Sequence, residues 1–154
     1  MELARLFDVV GWIAMPGWLL LVFLPRWRWT QTITAGVLPA VLAVFYLALF
    51  ANYFGQVPDG FGAFGSLAGV NSALSIDGML LAGWIHYLAF DLFVGSWEVR
   101  DAQRVGLRHW FVLPCLALTF MMGPVGLLLY LVLRGAIARR FSIPGIAAAA
   151  SPAG

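Results

Sequence analysis

One apolar stretch of the chain holds both an imidazole and a carboxylate. The segment GWIHYLAFDLFVGSW, residues 83–97, contains His86 and Asp91. At 1.5 Å per residue, both lie within about 5 Å of the middle of a helix over residues 79–97, which is centred near Leu88. If that helix spans a membrane, a carboxylate near its centre costs roughly 2.5–3.5 kcal/mol and should face the bundle interior with a partner. We therefore take His86 and Asp91 as the candidate catalytic residues, one acting as acid and the other as base.

The helical spacing places these two side chains on different faces. Five positions at 100° per residue separate His86 and Asp91 by about 140°, so both reach the bundle interior only by flanking it. That arrangement suits an acid and a base acting on opposite parts of one apolar substrate. The candidate substrate-binding residues share these two faces: Trp84, Tyr87, Phe90 and Glu98.

A structural interpretation of the same residues stays open. Polar groups in membrane helices often hold helices together through hydrogen bonds worth about 0.6–2 kcal/mol. His86 would then bond a carbonyl freed at Pro124, and Asp91 would bond Asn52 or a tyrosine. No metal site is predicted, because His86, Asp91 and Glu98 lack the i, i+3 or i, i+4 spacing of helical metal ligands.

The composition is that of an integral membrane protein. Of 154 residues, 62% are hydrophobic and only 10% are charged, whereas soluble domains are about 45–50% apolar and about 25% charged. Four apolar runs have the length of about 20 residues that a bilayer requires. The sequence therefore predicts an all-α, integral membrane four-helix bundle in one domain, residues 1–141, followed by a disordered tail, residues 142–154. The predicted spans cover residues of about 6–24, 33–54, 79–97 and 110–133.

Three connecting features complete this organisation. The first span is expected to be retained, because no small-residue cleavage site follows its apolar region. The glycine-rich connection Gly55–Gly78 is long enough to be a binding loop or lid, or a plain surface loop. Pro124 should kink the fourth span, because proline cannot donate the helical hydrogen bond at that position.

The basic residues are all arginine, and three of them recur every four residues. Arg100, Arg104 and Arg108 would form a basic stripe on a short interfacial helix, which anionic lipid headgroups attract by about 1 kcal/mol per arginine. So few charges, spread along the chain, argue against nucleic acid as a partner. The arginine-, alanine- and leucine-rich composition favours a bacterial inner-membrane protein from a high-GC genome.

Two segments of the second half resemble a known family. WIHYLAFDLFVGSWEVRDAQR, residues 84–104, and PCLALTFMMGPVGLLLYLVLR, residues 114–134, resemble the neoxanthin synthase family, the abscisic-acid-deficient type of small four-helix membrane protein, in its bacterial branch. The W-I-H-x-L-A-x-D-L-F core includes His86 and Asp91, and the later Pro-Val-Gly is residues 124–126. The first half resembles the family only in the layout of its spans.

The resemblance implies a carotenoid-like isoprenoid as ligand and a reaction without a cofactor. Plant members are linked to the conversion of violaxanthin, a 5,6-epoxide, into allenic neoxanthin. An acid protonates the epoxide oxygen and a base removes a vinylic proton, so no redox group is needed. By this resemblance a neutral His86 is the base and a protonated Asp91 the acid, or the reverse.

A non-catalytic function remains the alternative. The chain would then be a membrane subunit that binds a pigment, a lipid or a partner helix, within a larger membrane complex or a homo-oligomer. Transport is disfavoured, because one histidine and one aspartate offer little for a solute pathway.

Overall fold

The computed structural model describes residues 2–138, and every regular element in that range is helical. The all-α prediction is therefore confirmed. The chain divides into two compact units, residues 1–96 and residues 97–154, which are described separately below. The helices are α1 Leu3–Phe23, α2 Thr30–Gln56, α3 Leu67–Leu74, α4 Asp77–Val105, α5 His109–Met122 and α6 Pro124–Ala138. The predicted tail, residues 142–154, lies outside the described residues.

Three helices, α1, α2 and α4, are long and apolar enough to cross a membrane. Three helices and not the expected four meet this criterion among the described residues, because the fourth apolar run forms two shorter helices. With 14 and 15 residues, α5 and α6 are each about 21–23 Å long. Neither matches the hydrocarbon thickness of about 30 Å by itself.

The core of the first unit lies where α1, α2 and α4 meet. Its largest cluster takes residues at helical spacing from each: Leu6, Val10, Ala14, Leu42, Leu49, Leu81, Ala82, Ile85, Leu88 and Ala89. At Gly17 of α1, a Cβ atom would lie 2.8–2.9 Å from the methyl carbons of Leu92 and Leu38. Side chains of both other helices therefore approach α1 closely at Gly17.

Helix α2 is irregular at both ends. It contains a π-helical turn, Ile33–Val37, and finishes in a 3₁₀ turn, Phe54–Gln56. Pro39 is the second residue after the π turn and has no N–H to donate to that turn, which favours the wider turn at this point.

The connection between α2 and α4 is more ordered than its glycine content suggests. It contains a 3₁₀ helix, Gly60–Gly65, and α3, so the predicted long connection is present but is largely helical. The Oγ of Ser66 accepts a hydrogen bond from the Gly69 N–H at 3.0 Å and caps α3, as serine commonly does at this position. Ala63 and Ala73 pack with Val57 and Met79 in a small core of their own.

In the second unit the chain reverses between α5 and α6. Gly123 separates them with φ 43° and ψ −91°, a conformation that favours glycine. A Cβ atom on Gly126 would overlap the backbone N and Oγ1 of Thr119 and lie 2.6 Å from the carbonyl oxygen of Cys115. In one continuous helix, residues 115 and 126 would be about 16 Å apart along the axis. The kink expected at Pro124 is therefore a full helical hairpin.

Candidate functional site

His86 lies in a row of aromatic rings in the first unit. The row, called the aromatic row below, consists of Phe90, His86, Tyr46, Phe50, Phe54 and Phe61 in spatial order. Consecutive ring centroids are 4.4–6.0 Å apart. Residues 86 and 90 come from one turn of α4, and residues 46, 50 and 54 from successive turns of α2. Because the ring-bearing residues of each helix are four positions apart, their rings lie along one face of that helix.

The His86 imidazole is exposed on this row. It stacks on the Phe90 ring at 4.4 Å with an interplanar angle of 24°, and Phe90 itself is 59% exposed. Among the described residues, His86 makes no hydrogen bond. Its nitrogen atoms are therefore available to a ligand that lies along the row.

Asp91 occupies the other flank of α4. Its carboxylate shares a side-chain hydrogen bond with Tyr87, one turn earlier. Tyr87 contacts the Trp84 ring, which in turn stacks on Phe7 of α1 at 5.5 Å. The Oδ2 atom of Asp91 is buried and has no hydrogen-bond partner in the described part of the chain.

The structure therefore separates the two candidate catalytic residues as their spacing predicts. His86 faces rings of α2, whereas Asp91 belongs to the flank that faces α1. No hydrogen bond or ion pair joins them within residues 2–138. Of the partners considered for Asp91, a tyrosine is observed, whereas Asn52 donates to the Ala48 carbonyl at 2.7 Å.

The second unit contains a buried ionic cluster that the sequence analysis did not identify. Asp101 Oδ2 accepts hydrogen bonds from the Tyr130 hydroxyl at 2.6 Å and from Arg134 Nε at 2.5 Å. All three residues are at least 96% buried. The Tyr130 ring also meets Trp97 edge-on, with centroids 5.5 Å apart.

Glu98 lies within this unit, fully buried. Its Oε1 accepts a hydrogen bond from the Thr119 hydroxyl at 3.0 Å, so α4 is tied to α5 as well as to α6. The sequence contains a pattern that could have indicated this cluster. Glu98 and Asp101 are three positions apart, and Tyr130 and Arg134 are four positions apart. Each pair therefore occupies one helix face. The sequence does not show that these two faces pair with each other.

The arginines predicted to bind lipid headgroups do not share a short helix. Helix α4 continues to Val105 and ends at Gly106, whose φ is 77°. Arg100 and Arg104 are thus the end of the long helix, and Arg108 follows the break. Arg104 and Arg108 are exposed, and Arg100 is half-buried. Their contact with headgroups stays a prediction. Among the described residues, no group of three or more His, Cys, Asp or Glu side chains could hold a metal ion.

Comparison with known proteins gives one match. The family model described as ABA DEFICIENT 4-like matches residues 5–130, a range that includes the aromatic row, Asp91 and the contacts of Tyr130. No curated protein and no solved structure matches the chain. Because the match covers most of the chain, the family resemblance seen in the second half extends through the first. The chain belongs to the ABA DEFICIENT 4-like family of membrane proteins.

Proposed function

We propose that this protein binds a carotenoid-like isoprenoid along the aromatic row and rearranges an epoxide of that ligand without a cofactor. The observation that carries the proposal is the position of His86, an exposed imidazole within a series of stacked and tilted rings. A polar side chain on an apolar, membrane-facing surface is costly unless a partner satisfies it. A flat conjugated ligand with one oxygen near His86 would supply both the stacking and the hydrogen bond.

The aromatic row suits a long and rigid ligand. Six rings in sequence offer stacking surfaces, which favour offset contact with a planar π-system. The row runs along α2 and therefore roughly along the direction of the membrane-spanning helices. A linear polyene could lie against it over much of its length, whereas a compact solute would contact only one or two rings.

The chemistry that these residues support is redox-neutral. A proton is given to the epoxide oxygen, and one epoxide C–O bond breaks. A base removes a vinylic proton, and its C–H electron pair forms the second double bond of an allene. One proton enters and one leaves, so an acid and a base suffice.

The structure favours His86 as the group that contacts the ligand on the row. Asp91, on the other flank of α4, is proposed as the second proton carrier, with Tyr87 holding its carboxyl group. A single ligand can use both only if its end group reaches around α4 between the two flanks. The roles of acid and base are therefore assigned by experiment, one residue at a time.

The test uses purified protein and a 5,6-epoxy carotenoid in detergent micelles. Wild type should yield a product of unchanged mass and altered absorption spectrum. His86→Gln should lower turnover by about 10²-fold or more while the pigment still co-purifies. His109→Gln is the matched control, because His109 is the only other histidine and lies at the start of α5. Asp91→Asn, compared with Asp59→Asn in the connection before α3, tests the second carrier.

Two results would contradict the enzyme proposal. One is His86→Gln turnover equal to that of wild type; the other is a stoichiometric pigment that wild type leaves unaltered. The second result would favour the non-catalytic alternative, a subunit that binds a pigment or a partner helix. One observation supports that alternative: only 17% of the most apolar window of α2 is buried, so most of this helix is open to lipid, ligand or another protein.

A further inference from the structure

The turn between α1 and α2 is fixed by its own hydrogen bonds. The carbonyl of Leu24 accepts from the Trp27 N–H at 3.1 Å and from the Thr30 hydroxyl at 2.6 Å. The Thr30 N–H donates to the Trp27 carbonyl at 3.0 Å. Thr30 is fully buried. Hydrogen bonds therefore hold the turn at its first residue, Leu24, and at its last, Thr30.

The first turns of α2 are fixed in addition by a polar network with α4. The Ser96 hydroxyl donates to Gln31 Oε1 at 2.9 Å and accepts from the Thr34 hydroxyl at 2.9 Å. Gln31 Nε2 donates to the Ser96 carbonyl at 3.2 Å. These hydrogen bonds therefore fix the backbone that carries the outward-facing side chains of this segment.

Three of those side chains line a cavity of about 340 Å³: Arg28, Trp29 and Thr32. The guanidinium of Arg28 lies over the Trp29 ring, 4.9 Å from its centroid. Stacking on an indole orients the planar guanidinium and limits its rotamers. The cavity thus presents an oriented cation and the Thr32 hydroxyl side by side.

The charge of this cavity is not neutralised by the described residues. Arg28 forms no ion pair among them, unlike Arg5, which pairs with Glu2, and Arg134, which pairs with Asp101. No acidic residue occurs between positions 9 and 58 of the sequence, whereas Arg26 adds a second positive charge to the turn. No carboxylate of this turn or of α2 would therefore repel an anionic ligand.

We propose that this cavity, defined by Arg28, Trp29 and Thr32, binds the phosphate of a phosphate ester. The guanidinium fork matches two phosphate oxygens, and such charge-assisted pairs are stronger than neutral hydrogen bonds. A volume near the lower end of the usual range for ligand pockets suits a headgroup rather than a whole lipid. Free phosphate compounds share this chemistry. A membrane lipid is the favoured source, because α1 and α2 are both long and apolar enough to span a membrane, and the turn between two spanning helices lies at headgroup depth.

The surface next to the cavity has room for an acyl chain. Gly36 lies one turn after Thr32 on α2, and a Cβ atom placed on it would meet nothing within 4 Å. Val37, beside it, is 51% exposed. A lipid whose phosphate occupies the cavity could therefore lay a chain along this part of α2.

The test compares two neighbouring arginines in detergent-purified protein. Arg28→Gln removes the cation of the cavity, and Arg26→Gln is the matched control, since it removes the same charge from the same turn without lining the cavity. Binding is measured by native mass spectrometry with short-chain phosphatidylglycerol, with short-chain phosphatidylcholine and with inorganic phosphate. Both substitutions are on exposed side chains, so folding is checked by circular dichroism and is expected to be unchanged.

Arg28→Gln should weaken phosphatidylglycerol binding by about tenfold, whereas Arg26→Gln should change it less than twofold. Arg28→Lys should recover only part of the affinity, because an ammonium lacks the bidentate fork.

Binding of both lipids, with little binding of inorganic phosphate, assigns the site to a headgroup phosphodiester. Binding of inorganic phosphate as tight as that of lipid, and equally dependent on Arg28, assigns the site to a soluble phosphate. Equal losses in Arg26→Gln and Arg28→Gln, or no loss in either, would overturn the proposal.

Discussion

Asp101 shows how one buried carboxylate can hold two helices. It receives the Tyr130 hydroxyl and the Arg134 guanidinium on the same oxygen. A buried charge is tolerable only when it is paired and hydrogen-bonded. The three side chains therefore act as one unit, and removing any of them changes the surroundings of the other two.

Replacing Arg134 alone should destabilise the second unit strongly. Arg134→Met leaves the Asp101 carboxylate buried without its guanidinium, a change that typically costs about 3–5 kcal/mol. Asp101→Asn combined with Arg134→Met should recover much of that loss, because an amide oxygen can still accept from Tyr130 and position 101 no longer carries a charge. Thermal unfolding in detergent measures both.

The exposed ion pair near the N-terminus provides the control for this prediction. Arg5 and Glu2 are 3.6 Å apart, with side chains 80% exposed. Arg5→Met should therefore change stability by no more than about 1 kcal/mol. A double variant as unstable as Arg134→Met alone would show that the cost is lost packing rather than an unpaired charge.

At the same scale, the sequence predicted some site residues and missed others for a physical reason. His86 and Asp91 stand out because a polar side chain within an apolar run is visible in one dimension. Asp101 does not stand out, because other charged residues surround it in the sequence and its partner Arg134 is 33 positions away. Whether two residues this far apart in the sequence form a pair depends on how their helices pack, and residue spacing alone does not show that packing.

At the scale of the elements, hydropathy found α1, α2 and α4 but misjudged the run after residue 110. A continuous apolar run of this length fits one span or two short helices equally well. The outcome depends on Gly123, which adopts a positive φ, and on contacts between α5 and α6 at Gly126. The capped helix α3 was likewise hidden, because the glycine-rich sequence masked the Ser66 cap.

Gly126 is the position where the hairpin is least tolerant of a side chain. Gly126→Ala would press a methyl group against the backbone of Thr119 and the carbonyl of Cys115. Backbone atoms cannot yield as a flexible side chain does, so we expect a loss of about 1–3 kcal/mol in stability, read from thermal unfolding.

Substitutions at two other glycines serve as controls for this prediction. Around Gly11 a Cβ atom meets nothing within 4 Å, and Gly11→Ala should be neutral or slightly stabilising, because alanine has the higher helix propensity. Gly17→Ala should fall between the two, since the atoms it meets are the ends of leucine side chains. Equal stability of the Gly11 and Gly126 variants would mean that the hairpin contact is looser than described.

For the molecule as a whole, the decisive question is how the bilayer accommodates the apolar hairpin. Each of α5 and α6 is shorter than the hydrocarbon thickness, and they reverse direction at Gly123. Such a pair of apolar helices can enter the membrane and return to the same side, because the backbone N–H and C=O groups are hydrogen-bonded within each helix. A single straight span would instead carry its two ends to opposite sides.

Single cysteines in sealed vesicles distinguish these arrangements. In a Cys115→Ala background, Arg108→Cys and Ile137→Cys should react with a membrane-impermeant maleimide from the same side, because these exposed positions bracket the hairpin. Met122→Cys is the control: it is 57% exposed on the protein but lies at the hairpin tip, and should stay unreactive because hydrocarbon surrounds it. Labelling of positions 108 and 137 from opposite sides would contradict the hairpin and restore a fourth crossing. Labelling of position 122 as fast as the other two would place the tip outside the hydrocarbon, and the apolar faces of α5 and α6 would then need a protein partner rather than lipid.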